Sequence, residues 1–269
     1  MARRNFYEIL NGSPININTE YKRIYTLFYK GTYSESAVAS IIEEVFEALP
    51  SSLRGRTISL SDFDETYGFT FPEVPFSLDA DDLISFFEYV WNLCKGALKH
   101  AYPFLGVGSC ESIENLLKLI SGCAEDLAHM PVQKENLTIF VPKDASIVSV
   151  AEIVKKELVV SVLEYHHHGL KGNLAKKKAI LKLMADDIEV ERKKLSSINK
   201  TLENQLFQLM NKFIRHDQSQ TPYIATMKPQ EIETCYDDIY QMWLLAKLEI
   251  DHYADRKDRV ATLIDKLNN

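Results

Sequence analysis

Asp144-Ala-Ser-Ile-Val-Ser-Val-Ala-Glu-Ile-Val-Lys-Lys-Glu-Leu-Val-Val-Ser-Val-Leu-Glu-Tyr-His-His-His-Gly169 points most directly to the fold class. Its apolar residues (Ile147, Val150, Ile153, Val154, Leu158, Val162 and Leu163) fall nearly all round a helical period. That is the pattern of a helix enclosed by other helices. Asp144 is placed to cap it and Gly169 to end it in a left-handed turn, so one central helix is expected from Ala145 to His168. Further on, Asn173 caps a second helix carrying Ile180, Leu183, Met184, Ile188 and Leu195. A third starts near Ser197, with Ile198, Leu202, Leu206, Leu209 and Phe213 spaced three or four apart. Pro229 suits the first turn of a fourth, which carries Tyr236, Ile239, Tyr240, Trp243, Leu244 and Ile250 and runs on towards Leu267. Four long helices with one longer connection predict a four-helix bundle over residues 144–269.

Towards the N-terminus the pattern stays helical. Tyr21, Ile24, Tyr25 and Phe28 mark a short amphipathic segment. Val38, Ile41, Ile42, Val45, Phe46 and Leu49 mark a helix that Ser34 or Ser36 caps and Pro50 ends. Asp79 caps a helix running through Leu83, Phe87, Val90 and Cys94 towards Pro103, and Ser109 caps another closed by Pro131. Residues 50–78 hold Pro50, Gly55, Gly68, Pro72 and Pro75 without periodicity and predict a long structured loop, with Thr57-Ile-Ser-Leu60 as a short extended piece. Leu137-Thr-Ile-Phe-Val141 has the composition of a strand, and residues 131–144 mark a change of composition. The expectation is an all-α protein with an N-terminal helical region, 1–132, and a C-terminal bundle, 144–269.

The 269 residues are 46% apolar and 26% charged, which excludes a disordered, collagen-like or rod-shaped chain. With 31 basic and 38 acidic residues the formal charge is −7, against a protein that coats nucleic acid non-specifically. The four cysteines form no CxxC pair and are expected reduced and mostly buried. Met1-Ala-Arg-Arg-Asn-Phe-Tyr-Glu lacks the apolar run of a signal peptide. No stretch approaches the about 20 apolar residues of a membrane span. These features predict a cytoplasmic protein without membrane association.

Three places can carry chemistry. His166, His167 and His168 stand in a row, and on a regular helix consecutive residues point about 100° apart, so they cannot share one metal. They read as a helix-end cap or as nucleic-acid contacts. Asn211, Arg215 and His216 gather at the end of the third bundle helix, where His can act as general acid or base and Arg can bind phosphate. They read equally as charges that complement the helix dipole. Between Lys171 and Lys200 nine basic residues face four acidic ones; within that face Lys178 and Lys182 lie one turn apart and can follow an RNA backbone, or simply keep the helix solvated. No glycine-rich phosphate loop, HExxH motif or carboxylate pair occurs, so neither metal nor cofactor is expected.

Ile214-Arg215-His216-Asp217 at the end of the third helix, followed by the final helix from Ile232, resembles the HEPN-like domains of bacterial abortive-infection and antiphage proteins. Many of these are RNases with an Arg, a polar residue and, a few positions on, a His. In the matching frame Met210-Asn-Lys-Phe-Ile-Arg-His216, Asn211 and His216 fit, and Met210 stands at the motif Arg. The resemblance implies a phage-defence protein acting through RNA cleavage or RNA binding, as a homodimer. His216 would be general acid/base, Arg215 would stabilise the phosphate and Asn211 would orient it. The alternative is a non-enzymatic helical interaction module that senses or regulates a protein partner.

Overall fold

The computed structural model describes residues 15–33, 36–75, 77–215 and 222–268. Their regular elements are helices apart from one two-stranded hairpin, and no described helix is long and apolar enough to cross a membrane. The chain divides into two units, residues 1–140 and 141–269.

In the first unit, α1 (Ile17–Tyr25) is capped by Asn16, whose side chain accepts from the Thr19 N–H at 3.0 Å. It continues as a π-helical turn, Thr26–Lys30, that Gly31 ends at φ 72°. α2 (Val38–Glu44) follows, ending in a 3₁₀ turn at Phe46–Ala48. Of its expected caps, Ser34 lies outside the described residues, and the N-cap position is held by Ala37. The expected loop at 50–78 contains two helices, α3 (Ser51–Arg54) and α4 (Leu60–Tyr67). Both are too short to show a period. Ser59, expected in an extended piece, instead caps α4 by accepting from the Asp62 N–H at 3.0 Å.

The long helices α5 (Ala80–His100) and α6 (Val107–Asp126) form the centre of this unit. Asp79 and Asp82 close a reciprocal capping box on α5. α6 begins before Ser109 and ends before Pro131, which lies in β1 (His129–Lys134). β1 pairs with β2 (Leu137–Pro142), so the expected strand has its ladder partner in the preceding residues. The core is strongly aromatic: Tyr21, Phe28, Phe71 and Tyr89 all ring Phe86 or one another at 4.8–6.4 Å.

The second unit departs from the sequence expectation at its first helix. The helix predicted from Ala145 to His168 is two helices, α7 (Ala145–Ile153) and α8 (Lys156–Glu164), with Val154 and Lys155 extended between them. α7 buries Ile147 and Val150, whereas α8 buries Leu158, Val162 and Leu163. Two faces on two axes produce the apolar pattern that a single helix would show all round. Gly169 has no left-handed backbone; that role falls to Gly172, at φ 74°. α9 (Leu174–Ile198) is capped by Asn173, and α10 (Lys200–Leu209) by Asn199. α10 widens into a π-helical turn, Met210–Arg215. A single turn, α11 (Pro222–Ala225), precedes α12 (Pro229–Asp251), which passes through a π-helical turn, His252–Arg256, into α13 (Lys257–Asn268). α9, α10 and α12 pack on one another, and α7 and α8 together supply the fourth corner of the bundle.

The cysteines are free, with Cys94 and Cys123 buried and Cys110 and Cys235 half-buried. Burial pushes the Cys94 thiol far up, and the Cys123 thiol up to about 12, so neither is a thiolate near neutral pH.

Candidate functional site

The end of α8 meets α9 and α12 in a cluster of rings and charges. Tyr165 stacks on Tyr240 with centroids 4.0 Å apart and planes at 6°. His166 stands edge-on to both rings at 5.1 Å. The Lys177 ammonium lies 5.0 Å from the Tyr165 ring centroid and pairs with Glu233 at 2.9 Å and Asp237 at 2.8 Å. Tyr240 donates to the Val162 carbonyl at 2.7 Å. Burial pushes the His166 pKa down, with the Asp237 carboxylate opposing and the Lys177 ammonium adding to the shift. Burial thus favours the neutral form of His166 at the edge of the tyrosine pair. The Gly172 N–H and then Lys177 hold the Glu233 carboxyl below its ordinary range. Glu233 and Asp237 both pair with Lys177. His167 accepts from the Gly169 N–H at 3.1 Å and its ring lies 4.2 Å from that of His168. The three histidines thus have different surroundings, with His166 packed and the other two at a turn.

The second group is drawn apart. Arg215 pairs with Glu189 and donates to the Ala185 carbonyl at 2.7 Å, fastening the π-helical turn to α9. Asn211 is half-buried on the same turn. Met210, at the position of the motif Arg, is fully buried. His216 and Asp217 lie outside the described residues.

The basic face of α9 is partly interior. Lys177 is buried. Arg192 pairs with Glu203 at 2.7 Å and lies over the Phe207 ring at 4.3 Å. Lys200 reaches the same carboxylate at 3.0 Å. On the adjoining side Lys247 pairs with Asp187 at 3.1 Å and with Glu191, and Lys155 reaches Asp187 at 3.4 Å. Lys178 is half-buried and Lys182 exposed, one turn apart.

The last helix carries an apolar stripe that sequence reasoning missed. On α13, Val260, Leu263, Ile264 and Leu267 are 43–76% exposed. At about 100° per residue they occupy one arc of roughly 100°. Lys257 borders that arc on one side and Arg259 and Lys266 on the other, while Asp258 and Asp265 lie behind. The signal was present in their i, i+3, i+4, i+7 spacing, but spacing alone does not say whether a face is covered.

No protein-family model, curated protein or solved structure matches the chain.

Proposed function

We propose that the chain is a non-enzymatic helical interaction protein that associates with a second copy of itself through α13. The observation that carries this reading is the exposed stripe of Val260, Leu263, Ile264 and Leu267. Four large aliphatic side chains on one face of a terminal helix have no covering element among the described residues, and such a face is stabilised by a partner helix. Val260 and Leu267 take one heptad position and Leu263 the other, the spacing of a coiled-coil seam. Charge selects the parallel orientation. An antiparallel pair would set Arg259 against Lys266 of the second copy, whereas a parallel pair sets Arg259 against Ile264 and leaves Asp258 and Asp265 outside. Arg256, which precedes the stripe, is neutralised by its own Asp251 at 3.3 Å.

Sedimentation equilibrium tests this. Wild type is expected as a dimer, and Leu263→Asp as a folded monomer with an unchanged far-UV circular dichroism spectrum, because Leu263 is exposed within its own chain. A monomeric wild type, or a variant that remains dimeric, overturns the proposal.

A second reading is RNA binding by α9, favoured by Lys178 and Lys182, which stand one turn apart and outside the ion pairs that hold Lys177 and Arg192. The abortive-infection role implied by the HEPN resemblance belongs with this reading. Here Arg215, committed to Glu189 and Ala185, acts as a fastening of the bundle.

A further inference from the structure

We propose that the groove between α5 and the β1–β2 hairpin, in the first unit, is a binding site for a nucleoside phosphate. The groove has a volume of about 680 Å³, within the range of about 300–1,000 Å³ typical of small-ligand sites. One wall is a stripe on α5: Trp91, Lys95 and Lys99, each four residues from the last, with His100 beside them. The facing wall is the hairpin, which offers the Asn136 amide, and Leu53 closes one side.

Among the described residues the lysines of this wall form no ion pair. The first unit carries 19 acidic and 11 basic residues. Lys30 there takes Glu73 as a partner. Among the described residues Lys95 and Lys99 have no carboxylate partner, although Glu135 stands across the groove. The Lys95 ammonium instead rests 5.2 Å from the centroid of the Trp91 ring. Two unpaired ammonium groups one turn apart form a receptor for a phosphate. The indole next to them offers a flat surface for an aromatic ring. The Trp91 Nε1–H is enclosed and has no acceptor among the described residues, so it is the rest of the half-buried indole, and not this N–H, that lines the groove.

The walls are fixed. The Asn92 amide donates to the carbonyls of Glu88 and Thr138, both at 2.8 Å, and accepts from the Thr138 N–H at 2.7 Å, tying α5 to the hairpin. At Gly96 an added Cβ would lie 2.2 Å from Leu53 Cδ2, so the absence of a side chain there lets Leu53 pack close to the helix. Trp91 packs edge-on against Phe140 at 5.3 Å, which sets the plane of its ring. A ligand would meet a preformed surface, which lowers the cost of ordering it.

The test is a fluorescence titration of the full chain carrying Trp243→Phe, so that Trp91 is the only reporter. AMP, adenosine, inorganic phosphate and a short oligoadenylate RNA are the probes. AMP is expected to quench Trp91 saturably, with adenosine and phosphate each at least tenfold weaker. Lys95→Gln/Lys99→Gln is expected to weaken AMP at least tenfold without moving the thermal midpoint; should that variant unfold, Lys99→Gln alone serves. Absence of saturable quenching by AMP, equal binding by the lysine variant, or phosphate binding as tightly as AMP overturns the proposal. Oligoadenylate binding tenfold tighter than AMP also overturns it, in favour of a nucleic-acid surface.

Discussion

Residues 15–140 are held by aromatic rings packed on one another, whereas residues 141–268 are held by ion pairs drawn into a helix bundle. Among the described residues all five buried charged side chains (Glu164, Lys177, Asp187, Glu203 and Lys247) belong to the second unit, and the first buries only Thr57 among its polar residues. Composition explains the difference. The second unit has 20 basic and 19 acidic residues, so each buried charge can find an opposite. The first, with its acidic excess, leaves most carboxylates at the surface and fills its interior with Phe and Tyr. Burying a charge costs several kcal/mol unless it is paired, so only the balanced unit tolerates charges inside.

The largest expected effect lies in the aromatic core. Phe86→Ala should cost about 3–5 kcal/mol in urea unfolding followed by Trp91 fluorescence, because it removes a fully buried ring from the centre of the cluster. A loss below about 1 kcal/mol would break the contrast between the units.

In the bundle the expected signature is a rescue. Lys247→Ala leaves the buried Asp187 with only the exposed Lys155, at 3.4 Å, and should cost about 3 kcal/mol. Lys247→Met together with Asp187→Leu should recover most of that, since apolar side chains of similar volume replace a buried pair at little cost. A double variant as unstable as the single one would show that the pair does more than satisfy itself.

Acid separates the units more gently. Glu189, Glu203 and Glu233 have pKa values lowered chiefly by Arg215, by Lys200 and by the Gly172 N–H respectively. In the unfolded chain they titrate near about 4.3. Between the two values the unfolded chain binds more protons. Their contribution is therefore complete above about pH 5 and is lost as the pH falls through the lowered values. Asp64 in the first unit has the opposite sign: burial raises its pKa despite the bond from Tyr89 at 2.7 Å, so protonation relieves it. Single-tryptophan variants should show Trp243 reporting acid unfolding at a higher pH than Trp91. Coincident transitions would refute the distinction.

The smallest effect on stability is expected from Lys178→Glu/Lys182→Glu, within about 0.5 kcal/mol of wild type. If α9 binds RNA, the same variant should weaken binding and flatten its dependence on salt, because fewer counterions are released. Undetectable binding by wild type at low salt would remove the RNA reading.

The helical class was legible because it rests on short-range chemistry. Asp79, Asp144 and Asn173 cap helices where their positions suggested, and Pro229 opens α12. What escaped depends on the third dimension. The break at Val154 has no proline or glycine beside it to announce it. The partner of β2 was hidden by Pro131 and by polar residues in β1. Lys177 and Arg192 look like surface charges until Glu233 and Glu203 are brought to them. Met210 could be seen to depart from the motif, but its complete burial could not.

The π-helical turn at His252–Arg256 sets the rotational phase of α13. A wide turn adds about one residue to the helical count, which rotates everything downstream by roughly 100°. Deleting a single residue there would leave the amino acids of α12 and α13 intact, yet swing the aliphatic stripe a quarter-turn or more about its axis. Five residues in the middle of a continuous rod thus work as an angular coupling, and the direction in which the last helix presents its face is written in their number as much as in their identity.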